Sequence, residues 1–526
     1  CRHCRFVAFP NTGEETPEMC PTPRIITLCV FMTLVTTAGL ASADGGSVRN
    51  SVVKVYSTQQ HPNLSTPWKR SAVKNATGSG VLLSPDRLLT NYHVVAFSTD
   101  TSISLNGQSD RLSATVQAVS PGLDLAVVKL DELLSYDASV ATVPESVPVP
   151  GAQIQALGYP KGGESLSVTE GLVSRIEYVN YRQHVKGLRV QLDAPLNSGN
   201  SGGPVVEGDK VVGLSFGMLS DANDIGYAIP CTEIRRFLDD IEDGQFDGKP
   251  QLWCDFVTLN DKEMRKWLKL PEGETGIRFV RQPIPIPNYP LKLNDVVARI
   301  GEFDVSNLGK VDYNENIQVS FEYAVDQSAK DGHIEMRIFR AGTEMHIQVP
   351  VLEDGRFLLQ HLNDRPPSYF VYGPIVFGVA NAEFPNALES MMLRNKRSAI
   401  PALAMLKSLQ AFESPYLRRR FDRTQVPDEH LVVITDLIAN SLTRDIRLLQ
   451  PSVVRTINGQ AVTSIQSAAK ILKSIDDEQI VIEIDDNQNT TVVFDRSEVE
   501  SQHDQIMADN GIVNAASEDL REVWSR

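Results

Sequence analysis

Ser201 lies in "LNSGNSGGPVV", Leu196–Val206, where glycines and short polar residues sit between apolar runs. A serine hydroxyl is a poor nucleophile at neutral pH. It needs a base within hydrogen-bond reach and a third group that orients the base. Acyl transfer also needs backbone N–H groups aimed where negative charge develops on the attacked carbonyl. This stretch has residue types for both tasks. Gly199 lets the chain turn without a Cβ, so its N–H and that of Ser201 can point into one small pocket. Gly202 and Gly203 then leave room beside Ser201 for a substrate backbone. Clusters of Gly, Ser and Asn also make ordinary hairpin turns, so the stretch alone does not choose between a turn and a nucleophile.

Two further segments bear on that choice. "LLTNYHVV" puts His93 at the end of an apolar strand, from which a base can lean into a cleft. "SPGLDLAVVKL" puts Asp124 directly before another apolar strand, where an acid can be fixed against a histidine. Singly, these read as a surface or core histidine and a turn aspartate. Together, His93, Asp124 and Ser201 follow the chain order of the trypsin-like fold, not those of α/β-hydrolase or subtilisin folds.

The elements that must position these residues run from Ser51 to about Pro230. "SVVKVYS", "GSGVLLS", "LDLAVVKL", "AQIQALGYP", "LRVQLD" and "KVVGLSFGML" are short, β-branched and bounded by Gly, Pro, Asn or Asp, which predicts an all-β sandwich or barrel pair. "CTEIRRFLDDIEDG" has helical spacing and closes this region. Beyond it, "DVVARIGEFDV" and "SVVRTINGQAV" share one hairpin pattern, which predicts two copies of a single module. The second copy carries a Leu- and Arg-rich helical insert from Ala387 to Asp422.

The 526 residues carry a net charge of −16, with no basic footprint for nucleic acid. An apolar content of 42% is enough for real cores. Arg24, the apolar run Ile25–Leu40 and Ala41-Ser42-Ala43 follow the order of a secretory signal peptide, predicting cleavage after Ala43 and a secreted or periplasmic location. Translation is expected to start at Met19, and no stable membrane span is expected after cleavage. Of the six cysteines, that leaves Cys231 and Cys254, whose pairing stays open. No metal, nucleotide or other cofactor motif emerges, and "DDNQN" reads as a hairpin turn rather than a calcium loop.

"TNYHVV", "GLDLAVVKL", "NSGNSGGPVV" and "DIGYAIP" resemble the signature blocks of the HtrA/Deg family of trypsin-like serine proteases. "PNLSTPWKR", "GYPKGGESLSVTEGLVSRIE" and "RPPSYFVYGPIVF" resemble a Deg subgroup with one protease domain, one ordinary PDZ module and a second, divergent one. The fold implied is mainly β: a two-barrel trypsin-like protease domain followed by two α+β PDZ-type modules. The expected segments are 1–43 as upstream residues and signal, 44–247 as protease, 248–352 as first PDZ and 353–526 as the divergent PDZ.

The resemblance implies an ATP-independent endopeptidase that cleaves unfolded or damaged proteins. Ser201 would be the nucleophile, His93 the base and then the acid, Asp124 the orienting group, and Gly199 and Ser201 the oxyanion donors. Asn200 stands where digestive relatives hold an aspartate that pairs with a newly cut N-terminus, so loop ordering is the expected switch. A specificity pocket from Pro195, Leu196 and Met218, without an acid six residues before Ser201, implies cleavage after small or medium aliphatic residues. Leu252, Trp253 and Cys254 would receive peptide C-termini at the first PDZ by strand addition. Pro374 lacks an N–H, which weakens that role in the second copy. A homo-oligomer, a trimer or a multiple of it, is expected. The competing reading is a latent or non-proteolytic chaperone or scaffold on a protease fold.

Overall fold

The computed structural model describes residues 48–524 apart from 106–107, 109, 135–140, 184, 219–224, 244–247, 283–285, 353–356, 395, 421 and 425–427. The expected signal segment lies outside the described residues. Among those described, strands β1 (Val52–Gln59), β2 (Lys74–Ser84), β3 (Arg87–Thr90), β4 (Ser98–Leu105), β5 (Leu112–Ser120) and β6 (Leu125–Leu130) close into a barrel in the order β1-β2-β3-β6-β5-β4. A second closed barrel, β10-β11-β12-β9-β8-β7, follows from β7 (Gln153–Gly158), β8 (Ser167–Asn180), β9 (Lys186–Asp193), β10 (Pro204–Glu207), β11 (Lys210–Met218) and β12 (Ile225–Pro230). Closure leaves neither sheet with an edge.

Side chains alternate along a strand, so each barrel is filled from one face of its strands. Val53, Val55, Leu82, Leu88, Ile103 and Val128 fill the first. Ile154, Val190, Leu192, Val205 and Ala228 belong to the core of the second. Leu89, Leu123, Leu157, Leu214 and Phe237 form the cluster that joins them. Joining the barrels matters for function, because the residues of interest come from both.

The expected strand end at His93 is instead a one-turn helix, α1 (Tyr92–Val95). Asn91 keeps extended dihedrals and ends β3, after which the chain turns. Helix α2 (Cys231–Asp240) buries Cys231, Ile234 and Phe237 at helical spacing and closes the protease region.

Two modules follow. The first contains β13 (Asp255–Thr258), α3 (Lys262–Trp267), β14 (Ile277–Arg281), β15 (Val296–Ile300), β16 (Phe303–Asp304), the hairpin β17 (Lys310–Asn314) and β18 (Ile317–Ser320), α4 (Glu322–Ser328), β19 (His333–Arg340) and β20 (Thr343–Pro350). Its sheet runs β13-β14-β15-β19-β20, with β16 paired to β15.

The second contains β21 (Tyr369–Tyr372), β22 (Ile375–Val379), the helices α5 (Glu383–Arg394), α6 (Lys396–Ala411) and α7 (Pro415–Arg418), β23 (Val432–Leu437), β24 (Ser452–Ile457), β25 (Gln460–Ala461), α8 (Ile465–Ser474), β26 (Gln479–Ile484), β27 (Thr491–Asp495), α9 (Arg496–Asp509) and α10 (Arg521–Trp524). Its sheet runs β21-β22-β23-β24-β26-β27, with β25 paired to β24. From β22 onward this is the strand order of the first module, with one strand added at the edge. Among the described residues no helix is long and apolar enough to cross a membrane.

The seam between the protease region and the first module is ionic. Lys249 is 1% exposed, and its Nζ lies 2.8 Å from Glu233 Oε2 on α2 and 2.7 Å from Asp326 Oδ2 on α4. Arg236 also pairs with Asp326, and the Leu188 N–H donates to Glu233 at 2.7 Å. Removing the ammonium would leave two buried carboxylates facing each other. Lys249→Met is therefore expected to destabilise the protein by about 3–5 kcal/mol, read as a lowered denaturation midpoint. An unchanged midpoint would contradict a structural role for this triad.

Candidate active site

Asp124 occupies left-handed backbone conformation, φ +60°, at the end of the turn before β6. The turn is clipped to the start of α1. The Tyr92 N–H and the Asn91 side-chain amide both donate to Asp124 O, each at 3.0 Å. The carboxylate, with no solvent exposure, then reaches His93 twice. Its Oδ1 accepts from the His93 backbone N–H at 2.9 Å, and its Oδ2 lies 2.7 Å from His93 Nδ1. A carboxylate so placed holds the ring proton on Nδ1 and leaves Nε2 as an acceptor. The ring is one-third exposed, so a partner can approach it. Arg182 Nη1 stands 3.8 Å from Asp124 Oδ1.

Ser201 lies in the turn before β10, partly exposed at the surface. Sequence reasoning missed the residue that ties this turn to His93. Ser79 on β2 is fully buried and donates its N–H to Ser201 O at 2.8 Å. Its hydroxyl donates to Gly199 O and accepts from the Tyr159 N–H, both at 2.8 Å. Its carbonyl accepts from Thr90 Oγ1, at the end of β3, at 2.7 Å. One serine thus joins the Ser201 turn, the second barrel and the strand that leads into His93. The signal available was the small-residue run Gly78-Ser79-Gly80, which reads as an ordinary strand segment.

Three N–H groups of the Ser201 turn are engaged: Asn200 to Asn197 O, Gly202 to Ser215 O and Gly203 to Asn200 O, at 2.8–3.0 Å. Among the described residues, those of Gly199 and Ser201 have no protein acceptor. Gly199 takes φ +105° against the Tyr159–Lys161 backbone, and the Lys161 N–H donates to Ser198 O at 2.7 Å. Gly202 and Gly203 differ from expectation. A Cβ at Gly202 would collide with Ser79 O, and one at Gly203 with Leu157 O. Gly202 thus permits close approach of the first barrel's backbone and Gly203 that of β7 in the second, so the turn is held in place by its neighbours. Asn200 is 1% exposed, and both polar atoms of its side chain are without a hydrogen-bond partner among the described residues.

The expected specificity residues differ in exposure. Pro195 is exposed, while Leu196 is buried in the second barrel's core against Gly226. Met218 ends β11, and its side chain lies outside the described residues.

In the first module, Leu252 is buried and Trp253 packs edge-on against Phe357 at 4.9 Å. Cys254 Sγ lies 3.1 Å from the Tyr289 hydroxyl, and the Cys254 N–H is taken by Leu252 O. Cys231 and Cys254 are free thiols, not a bridge, and burial pushes them up to about 11 and about 12. Strand β13 ends its sheet and pairs with β14 alone. In the second module the equivalent strand, β22, is covered by β21, which is bridged in turn to Asn514–Ser517 through Val371 N to Ala515 O at 2.7 Å. Gly373 and Pro374 form the tight turn between β21 and β22, with the Gly373 N–H bound to His503 Nδ1.

Comparison with known proteins locates these features. Residues 78–214 match the model of the trypsin-like peptidase domain, and residues 359–519 match that of the PDZ domain. The protease Do-like 2, chloroplastic, of Arabidopsis thaliana is 27% identical over 92% of this chain and 77% of its own length. The protease Do-like 4, mitochondrial, of the same plant is 28% identical over 76% and 78%. Its Do-like 13 protein is 31% identical over 63% of this chain and 68% of its own length. The solved structure of the HtrA-type protease AlgW with tripeptide aligns at 23% identity and a TM-score of 0.47, over 58% of this chain and 95% of that one.

These relatives overturn the expected location. Do-like 2 is named as chloroplastic and Do-like 4 as mitochondrial, so a secreted or periplasmic protein with a cleavable signal is not supported. A basic residue, a short apolar run and small residues are a compositional pattern, and composition alone did not identify the address.

Proposed function

The chain belongs to the HtrA/Do-like family of trypsin-like serine proteases carrying a PDZ domain, and from that premise we propose that it is an ATP-independent endopeptidase of protein quality control. Ser201 attacks the scissile carbonyl while His93 Nε2 takes its proton. The N–H groups of Gly199 and Ser201 receive the oxyanion, and His93 then protonates the leaving amine. Water repeats the cycle on the acyl-enzyme. Asp124 holds the imidazole tautomer throughout. The observation that carries this reading is the double grip of the buried Asp124 carboxylate on the backbone and ring of His93.

The first module, 248–352, is proposed as a second PDZ domain, supported by the shared strand order. A peptide would add to the open edge of β13 beside α4, where Phe256 and Phe321 stack edge-on at 5.2 Å. The corresponding edge of the second module is already filled by the chain itself, which favours a structural or regulatory role there. Position 195 holds a proline rather than an acid, so nothing there pairs with a basic side chain.

Digestion of casein without nucleotide tests the reading. Unfolded casein is expected to be cut after small or medium aliphatic residues. A requirement for ATP, or a product profile dominated by Lys and Arg termini, would contradict it.

A further inference from the structure

The turn that carries His93 is gripped at both ends by a residue from far along the chain. Asp364 Oδ1 accepts from the Phe97 N–H at 2.5 Å, just past the end of α1, and from the Tyr92 hydroxyl at 3.3 Å, at its start. Residue 364 lies 271 positions after His93, at the entrance to the second module. A one-turn helix makes few internal hydrogen bonds, so its orientation depends on such external contacts. Asp124 supplies the contacts to Tyr92 and His93 described above, and β1 supplies more. Ser57 Oγ and Gln59 Nε2 donate to Val94 O, and Gln59 Nε2 also donates to His93 O.

Asp364 is itself held in place. Asn363 and Asp364 both take left-handed backbone conformation, φ +46° and +68°, in a turn closed by the Arg365 N–H on Leu362 O. Such residues persist where surrounding contacts over-determine them. Here Glu383, the first residue of α5, accepts from the Leu362 N–H at 2.9 Å and lies 3.2 Å from His361 Nδ1. The second module also docks on the protease region through Thr435 Oγ1 to Ser65 O, and Trp68 to Tyr369. An aspartate exposed on a free loop would have no reason to adopt this strained and partly buried geometry.

We propose that Asp364 is a positioning residue for His93, by which the second module completes the active site of the protease domain. The inference rests on the assignment of Ser201, His93 and Asp124 given above. It makes the C-terminal module part of the catalytic unit: α5, through Glu383 and the 361–365 turn, sets the orientation of α1. A small misplacement of a catalytic group lowers turnover without weakening substrate binding to the same degree.

The test uses the full chain with Asp364→Ala, Asp364→Asn and Tyr92→Phe, measuring kcat and KM on fluorescein-labelled casein and the rate of labelling by a fluorophosphonate. Asp364→Ala is expected to lower kcat and the labelling rate in parallel, by about 10- to 100-fold, with KM little changed. Asp364→Asn keeps an oxygen acceptor for both donors and is expected to restore most of the rate. Tyr92→Phe removes one donor of the two and is expected to fall between wild type and Asp364→Ala, a comparison that still decides if the alanine variant does not fold. Wild-type kcat in Asp364→Ala, a loss confined to KM, or an asparagine variant as slow as the alanine one would overturn the proposal. Ser201→Ala in the same assays separates the two claims: if it stays active, the underlying site assignment has failed, whatever Asp364 does.

Discussion

Ser201→Ala is expected to leave a folded chain whose turnover of casein falls on the order of 10⁴-fold or more. Among the described residues, the hydroxyl itself makes no hydrogen bond on which the surrounding structure depends. The turn is held through backbone groups: Ser79 N–H on Ser201 O, Ser215 O on the Gly202 N–H and Asn200 O on the Gly203 N–H. Removing Oγ therefore removes the proposed nucleophile without loosening the barrel junction. Activity within tenfold of wild type would mean that another group attacks the substrate, since about 1.4 kcal/mol accounts for each tenfold. A large fall in thermal stability would mean that the hydroxyl is structural.

Asp124→Asn is expected to cost about 10⁴-fold in kcat, for a reason that the geometry makes specific. The two carboxylate oxygens accept two different protons, one from the His93 backbone and one from its ring. An amide has one oxygen. If that oxygen takes the backbone N–H, the NH₂ faces Nδ1 and donates to it, driving the ring proton to Nε2, where it blocks acceptance of the serine proton. If the amide turns the other way, an NH₂ group meets the buried His93 N–H and neither finds an acceptor. The first arrangement disables the base, and the second keeps the working tautomer only at the cost of that unpaired contact. Measured kcat on casein checks this, and a variant within tenfold of wild type would show that Asp124 does not set the tautomer.

Much of this was legible in the sequence because it depends on local patterns. Short β-branched runs bounded by turn residues became strands of the two barrels, and Cys231, Ile234 and Phe237 marked the buried face of α2. His93 and Asp124 stood out because a histidine and an aspartate flanked by apolar strands have few other uses in combination. "NYHVV" reads as a strand end because it carries β-branched residues and too few positions to show a helical period; Asn91 and the Asp124 turn decide the matter through tertiary contacts.

What stayed hidden depends on distance along the chain or on residues of ordinary appearance. Ser79 is one serine among many until the fold brings Gly199, Ser201, Thr90 and Tyr159 to it. Lys249 reads as a solvated linker residue, and only the docking of α2 against α4 encloses it. Asp364 reads as a turn aspartate before two prolines. Helix α9 buries only Val499, His503 and Ile506 among polar neighbours, so no apolar stripe announced it. The glycines after Ser201 carried a true signal with a different meaning, because the space they leave is filled by the protein's own backbone.

The most direct measurement is chemical. The full chain is treated with a fluorophosphonate, digested, and the modified residue is located by mass spectrometry. A single adduct on Ser201 Oγ is expected, formed in the wild type, absent in Ser201→Ala and strongly slowed in Asp124→Asn. An adduct on a different serine, or none on a chain that still digests casein, would contradict it.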